Sequence, residues 1–163
     1  MIQFLVAAPC SGSGKTTLTC ALLAALKRRG QDPCSFKSGP DYIDPMFHSR
    51  VIGAKSSNLD PFFFDRDTMR YLLAHNSQGC DVTVIEGVMG YYDGLGLTST
   101  RASTYEAARE TESPVVLVVN ARGAALSVLA AAEGFLRFAP DSGIRGVILN
   151  GCSAMSYGPL ARE

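Results

Sequence analysis

The run Val115-Val116-Leu117-Val118-Val119 is apolar at every position, so a strand built from it has no face to offer water. Similar runs stand at Ile2 to Ala8, Asp81 to Ile85 and Ile144 to Leu149, with a more polar one at Pro33 to Lys37. Between them lie stretches of helical character. One covers Lys15 to Arg29 and is stopped by Gly30. A second runs through Met69 to Leu73, with Asp65 or Asp67 as its cap, and ends near Gly79. Two more cover Ser103 to Glu110 and Ala124 to Phe138. Strands buried on both faces and separated by helices predict an α/β fold, a parallel sheet of five strands flanked by helices. The residues from Ser38 to Phe64 lack a clear period and read as a long polar and aromatic loop.

Composition narrows the classes of function. The chain has 163 residues, enough for one domain, with 47% apolar and 18% charged residues. Lys+Arg and Asp+Glu both number 15, so the net charge is zero. No basic stripe is present, and neither nucleic acid nor a membrane is expected as a partner. The N-terminus lacks a positive lead-in and reads as a strand, not a signal peptide. The apolar tract from Ala124 to Ala132 is too short to span a bilayer. Five cysteines (Cys10, Cys20, Cys34, Cys80, Cys152) with no C-x-x-C pair predict free thiols, a cytoplasmic setting and no structural zinc.

Ser11-Gly12-Ser13-Gly14-Lys15-Thr16-Thr17 lies directly between a strand and a helix. Successive backbone N–H groups at a helix start form an anion nest, and glycines let the backbone approach phosphates. In such a phosphate loop Lys15 would reach the β- and γ-phosphates of a nucleotide and the Thr16 hydroxyl would ligate Mg²⁺. Pro9 stands where the pattern G-x-x-x-x-G-K-[ST] has its first glycine. The expected ligands are ATP and Mg²⁺, with Gly12, Ser13, Gly14, Lys15, Thr16 and Thr17 in contact with them.

Acidic residues follow the other strands. Glu86 ends the third predicted strand, and a strand-tip carboxylate beside a phosphate loop can coordinate Mg²⁺; at that tip it is expected to lie outside the core. Lys37-Ser38-Gly39-Pro40-Asp41-Tyr42-Ile43-Asp44-Pro45 follows the second strand, with Asp41 and Asp44 three apart and Lys37 placed to reach a transferred phosphate. The same spacing also suits a turn in which the two aspartates cap a short helix through Phe47 and His48. Asn58-Leu59-Asp60 and Met89-Gly90-Tyr91-Tyr92-Asp93-Gly94 read as further loops on the same rim. His48 and His75 have no metal-ligand spacing, and His75 reads as a surface residue.

Together the phosphate loop, Lys37 to Pro45, Asn58-Leu59-Asp60, Glu86 to Gly94, Ser103-Thr104 and Gly146 to Asn150 resemble one family. It is the cobyrinic acid a,c-diamide synthases, with their hydrogenobyrinate and nickel-sirohydrochlorin relatives. The resemblance implies a P-loop NTPase fold of the dethiobiotin-synthetase-like type, with residues 1–163 as the ATP-binding synthetase domain. It further implies amidation of two carboxylates on a tetrapyrrole: ATP phosphorylates the carboxylate, and ammonia derived from glutamine attacks the acyl phosphate. Carried over by motif, Lys15, Lys37, Asp41 and Asp44 are catalytic, and Thr16, Asp41 and Glu86 attend the metal. Asn150 matches the position that reads the adenine edge. Homodimeric association is implied as well.

The chain departs from that family in three ways. The family's proteins are longer and end in a class I glutaminase domain, and no cysteine here sits in a G-x-C-x-G-type nucleophile turn. The family's P-loop domain also continues past Asn150 with a helix and a further strand, so this chain reads as C-terminally truncated. Asn120 stands at the tip of the fourth predicted strand, where the family usually carries Asp. Partition-type ATPases share the fold but place a signature Lys where Cys10 stands.

Overall fold

The computed structural model describes residues 2–163. Six parallel strands form one sheet in the order β3-β2-β4-β1-β5-β6. They are β1 (Ile2–Ala7), β2 (Pro33–Ser38), β3 (Lys55–Leu59), β4 (Val82–Glu86), β5 (Val115–Asn120) and β6 (Ile144–Asn150). The helices are α1 (Lys15–Arg28), α2 (Ile43–Phe47), α3 (Arg66–Asn76), α4 (Thr104–Glu110), α5 (Ser127–Phe138) and α6 (Ala154–Leu160). A single π turn, His48–Ile52, continues α2.

Alternate residues of the apolar runs go to opposite faces, as the pleat requires. Leu5, Ala7, Ile85, Leu117 and Val119 pack with Met69 and Leu73 of α3, Tyr105 and Ala108 of α4, and Val128 and Ala132 of α5. Val6, Ala8, Val82, Val84 and Val118 face the other way, onto Leu23 and its neighbours Leu18, Leu22 and Leu26 in α1. Both faces are therefore covered, and that accounts for strands with no polar alternation. No helix of the described residues is long and apolar enough to cross a membrane.

Two expectations need correction. The sheet has a sixth strand, β3, inside the stretch read as a loop from Ser38 to Phe64. Its sequence Lys-Ser-Ser-Asn-Leu carries no apolar run because it is an edge strand: β2 alone pairs with it, and only Leu59 is fully buried. Asn58 and Leu59 therefore end a strand and do not form a loop. The same stretch also holds α2 and the π turn, too short for helical periodicity to register. Elsewhere α5 begins at Ser127, three residues after its expected start. Asp65 is the cap of α3, its side chain accepting the N–H of Thr68 at 2.8 Å.

Strand order determines where a ligand can sit. From β1 the chain crosses to β2 on one side, and from β4 it crosses over β1 to β5 on the other. The crevice opened at such a reversal, at the carboxyl ends of the strands, is the preferred binding position in open α/β sheets. The glycine-rich loop leaves β1 at that point.

Candidate functional site

The phosphate loop owes its shape to its glycines. Gly12 and Gly14 have φ of 78° and 98°, and Gly14 caps α1 directly before Lys15. A Cβ at Gly14 would also collide with the side-chain amide of Asn150, whose Nδ2 donates to the Ser13 carbonyl at 2.9 Å. Asn150 thus braces the loop from the tip of β6. Lys15 folds back over the loop and donates to the Met89 carbonyl at 2.6 Å, with the Cys10 carbonyl at 3.5 Å. Burial and the charge of Lys37 together lower its pKa. The Cys10 thiol lies 3.5 Å from Ser13 Oγ and is exposed.

Strand register lines up the second group. Lys37 of β2 stands opposite Glu86 of β4 and Asn58 of β3, and Glu86 stands opposite Val6 of β1. These positions share the sheet face that α1 covers, and the first turn of α1 brings Thr16 to them. Lys37 Nζ donates to Glu86 Oε1 at 2.8 Å and to Asp44 Oδ2 at 2.7 Å, with Asp41 Oδ2 at 4.0 Å. The Thr16 hydroxyl donates to the same Glu86 Oε1 at 2.5 Å. Burial disfavours the Lys37 ammonium, but the Glu86 and Asp44 carboxylates outweigh it and the lysine pKa is raised. Asp44 moves the opposite way: its partial burial is overcome by the Lys37 bond, and its carboxyl lies below the ordinary range.

Glu86 is a correction. It was expected outside the core, yet it is 0% exposed, because Lys37, Thr16 and the floor of the site close over the end of β4. The two readings of Asp41 and Asp44 divide between the residues. Asp41 Oδ1 accepts the N–H of Ile43 at 2.9 Å, a turn contact, although the side chain also borders the cleft. Asp44 makes no cap and instead holds Lys37. Asn58 Nδ2 donates to the carbonyls of Gly39 and Asp41, clamping this loop to the edge strand.

One cleft of about 460 Å³ gathers Gly12, Gly14, Lys15, Thr16, Thr17, Lys37, Asp41 and Asp44, with Gly87, Val88 and Met89 as its far wall. Ser13 and Asn150 border a neighbouring depression of about 240 Å³ with Gly12, Asn120, Arg122 and Gly151. Asn120 Oδ1 accepts the N–H of Arg122 at 3.0 Å. Asp93 behaves as a turn residue, accepting the Gly90 N–H at 3.0 Å. His75 is exposed and stacks on Tyr71.

Sequence reasoning missed His48. Its ring is fully buried in the π turn, with Nδ1 3.0 Å from Ser35 Oγ and Nε2 3.8 Å from Glu86 Oε2. Burial lowers its pKa, so the ring is held neutral. Its spacing of four from Asp44 was the available signal, since residues four apart share a helix face.

Oxygen donors dominate this cleft, as a hard cation requires. No group of three His, Cys, Asp or Glu side chains among the described residues forms a metal cage. Mg²⁺ takes one or two protein oxygens and completes its shell with phosphate and water. The Thr16 hydroxyl and the Glu86 carboxylate, whose Oε2 is buried without a partner, are the fitting pair.

A glycine loop at the reversal of a parallel sheet, followed by a helix that begins on Lys-Thr, defines a P-loop nucleotide-binding α/β domain. A family model described as the CobQ/CobB/MinD/ParA nucleotide binding domain matches residues 4–150, and the chain belongs to that family. It is 43% identical over 163 residues to the cobyrinate a,c-diamide synthase of Listeria monocytogenes. It is 46% identical over 162 residues to that of Gloeobacter violaceus, and 43% over 161 residues to the hydrogenobyrinate a,c-diamide synthase of Streptomyces coelicolor. Each match covers 99% of this chain but only 33% to 36% of the relative, so the chain spans about a third of their length.

Proposed function

We propose that this chain is the ATP-binding, carboxylate-activating domain of a cobyrinate a,c-diamide synthase-type amide ligase in cobalamin biosynthesis. The observation that carries the reading is the meeting of Lys15 and Lys37 in one cleft, one from the phosphate loop and one held by two carboxylates. A substrate carboxylate attacks the γ-phosphorus of ATP, the bond to the β-phosphate oxygen breaks, and an acyl phosphate and ADP result. Ammonia then adds to the acyl carbon, phosphate departs, and loss of a proton leaves the amide. A free carboxylate would have to expel oxide, so phosphorylation is what makes the substitution feasible.

The residues divide the work. The N–H groups of Gly12 to Thr17 and the Lys15 ammonium receive the phosphates, and Lys37, fixed by Asp44, faces the oxygens of the group in transfer. Asp41 borders the same space, where its oxygens would serve the cation that draws in the substrate carboxylate. Thr16 and Glu86 would hold Mg²⁺, which neutralises phosphate charge when bound. Asn150 and the depression beside it would receive the base. The substrate class is a tetrapyrrole acid; the ammonia comes from glutamine through a glutaminase domain or partner. A reducing cytoplasm suits five cysteines that are all free, and we expect the working assembly to be a homodimer.

The test is hydroxylamine trapping. With Mg·ATP, cobyrinic acid and hydroxylamine, the chain should form a hydroxamate, and Lys15→Ala should abolish it. Tight binding of Mg·ATP without ADP or hydroxamate, for every corrin acid offered, would reject the ligase reading and leave a nucleotide-binding domain.

A further inference from the structure

Met89 has a φ of 44°, a left-handed conformation that a residue other than glycine keeps only where its surroundings impose it. Its backbone carbonyl is the one to which Lys15 donates at 2.6 Å. The two peptide groups that flank Met89 therefore decide where the ammonium of the phosphate loop is held.

Both peptide groups are pinned by side chains. The carbonyl of the first, between Val88 and Met89, accepts from the Thr104 hydroxyl at 2.9 Å. The same oxygen accepts the Val88 N–H at 2.9 Å, so one hydroxyl satisfies both backbone groups of Val88. The second peptide, between Met89 and Gly90, donates its N–H to Asp93 Oδ2 at 3.0 Å. A peptide group is planar, so rotation of the first one would change ψ of Val88 and φ of Met89 together. Thr104 blocks that rotation.

Thr104 opens α4 but does not cap it. Ser103 is the cap, accepting the Glu106 N–H at 3.2 Å. The Thr104 side chain is 1% exposed and lies against Gly87, where an added Cβ would collide with it. The glycine lets the exit of β4 approach α4 closely enough for the hydroxyl to reach Val88.

We infer that Thr104 is a positioning residue for Lys15: its hydroxyl holds the Val88–Met89 peptide, which keeps Met89 left-handed and its carbonyl on the ammonium. The inference rests on the reading of Lys15 as the lysine that receives the nucleotide phosphates. An ammonium has three N–H donors, so the bond to Met89 leaves others for phosphate and fixes their direction. Released from Thr104, the peptide would turn, Met89 would relax to a negative φ, and the ammonium would lose its closer carbonyl.

Valine and serine separate the hydroxyl from the shape. Thr104→Val keeps the volume and loses both hydrogen bonds, whereas Thr104→Ser keeps the hydroxyl. In calorimetric titration of the 163-residue chain with Mg·ATP, Thr104→Ser should match the unsubstituted chain. Thr104→Val should bind about tenfold more weakly, the scale of a hydrogen bond to a charged group. In a Lys15→Met background Thr104→Val should cost nothing further. Equal losses in the two backgrounds, an equal loss with serine, or no loss with valine overturns the inference. A gain in affinity overturns it as well, since the carbonyl would then compete with phosphate for the ammonium. Nitrogen-15 spectra of the ligand-free chain give a second readout. The Lys15 ammonium, identified by its absence from Lys15→Met, should show slowly exchanging protons that persist in Thr104→Ser and vanish in Thr104→Val. Their survival in Thr104→Val overturns the proposal, and this signal decides alone where Lys15→Met binds too weakly to titrate. If Thr104→Val fails to fold, Thr104→Ala, which also lacks the hydroxyl, is judged by the same criteria. Equal ATP binding by Lys15→Met and the unsubstituted chain would instead overturn the phosphate reading of Lys15, and the ammonium signal would still decide what Thr104 holds.

Discussion

Lys37 and Glu86 stand opposite each other in the register of β2 and β4 and close to 2.8 Å, with 5% and 0% of their surfaces exposed. A buried pair of this kind need not stabilise the fold relative to an apolar pair, but breaking it from one side leaves a charge stranded. Lys37→Met should therefore cost about 3–5 kcal/mol in urea unfolding. The double substitution Lys37→Met, Glu86→Gln should recover much of that loss. Strictly additive losses would show that the two side chains are not coupled.

Asp44 tests the division of labour in the cleft. Its side chain is 18% exposed, and Lys37 keeps Glu86 as a partner when it is neutralised. Asp44→Asn should leave ATP affinity close to that of the unsubstituted chain and lower the unfolding midpoint only by the modest contribution of its Lys37 bond. Hydroxamate formation should fall by about a hundredfold, the scale expected when a transition-state cation is misplaced. Loss of ATP binding in this variant would assign Asp44 to the architecture of the loop.

Gly14 carries two separable constraints, a φ of 98° and the proximity of the Asn150 amide. Gly14→Ala should destabilise the chain by about 1–2 kcal/mol from backbone strain alone and abolish ATP binding. Adding Asn150→Gly removes the collision but not the strain, so only partial recovery is expected. Full recovery in calorimetry and unfolding would assign the whole effect to the amide.

Acid should weaken the fold in two stages. Burial holds His48 neutral, against the pull of Glu86, Asp44 and Asp41 and with the help of Lys37. The unfolded ring takes up a proton near pH 6.5, while the folded ring does so only at lower pH. The unfolded state therefore binds more protons below about pH 6.5, and stability declines there. Asp44 adds a second decline near and below pH 4, because Lys37 keeps its folded pKa under the unfolded value. Unfolding midpoints measured from pH 7 to pH 5 should fall in the unsubstituted chain and fall less in His48→Gln. Parallel profiles would remove His48 from this account.

The sequence was most legible where one interaction dominates. Val115 to Val119 had to be a doubly covered strand, and Ser11 to Thr17 had to be a turn into a helix. β3 was hidden because an edge strand with a single neighbour can be built from Lys, Ser and Asn. His48 and Ser35 were hidden for a different reason: they are defined by the pairing of one with the other and by Glu86 of β4 within 4 Å, and apart from the spacing of four between Asp44 and His48 nothing local records that. Glu86 accepts from Thr16 but is fully buried, not solvated. The error came from treating a strand tip as surface, when β2 and α1 close over this one.

The lysine of the phosphate loop, finally, is not a loose arm. Its ammonium has three N–H donors, and one of them is already engaged by a carbonyl 74 residues further along the chain. A free lysine side chain gives up about 1.5–2 kcal/mol of rotational freedom when it is ordered. Here that loss accompanies folding, so an arriving phosphate meets a cation that is already aimed. What aims it is the backbone carbonyl of Met89, from a loop far away in the sequence.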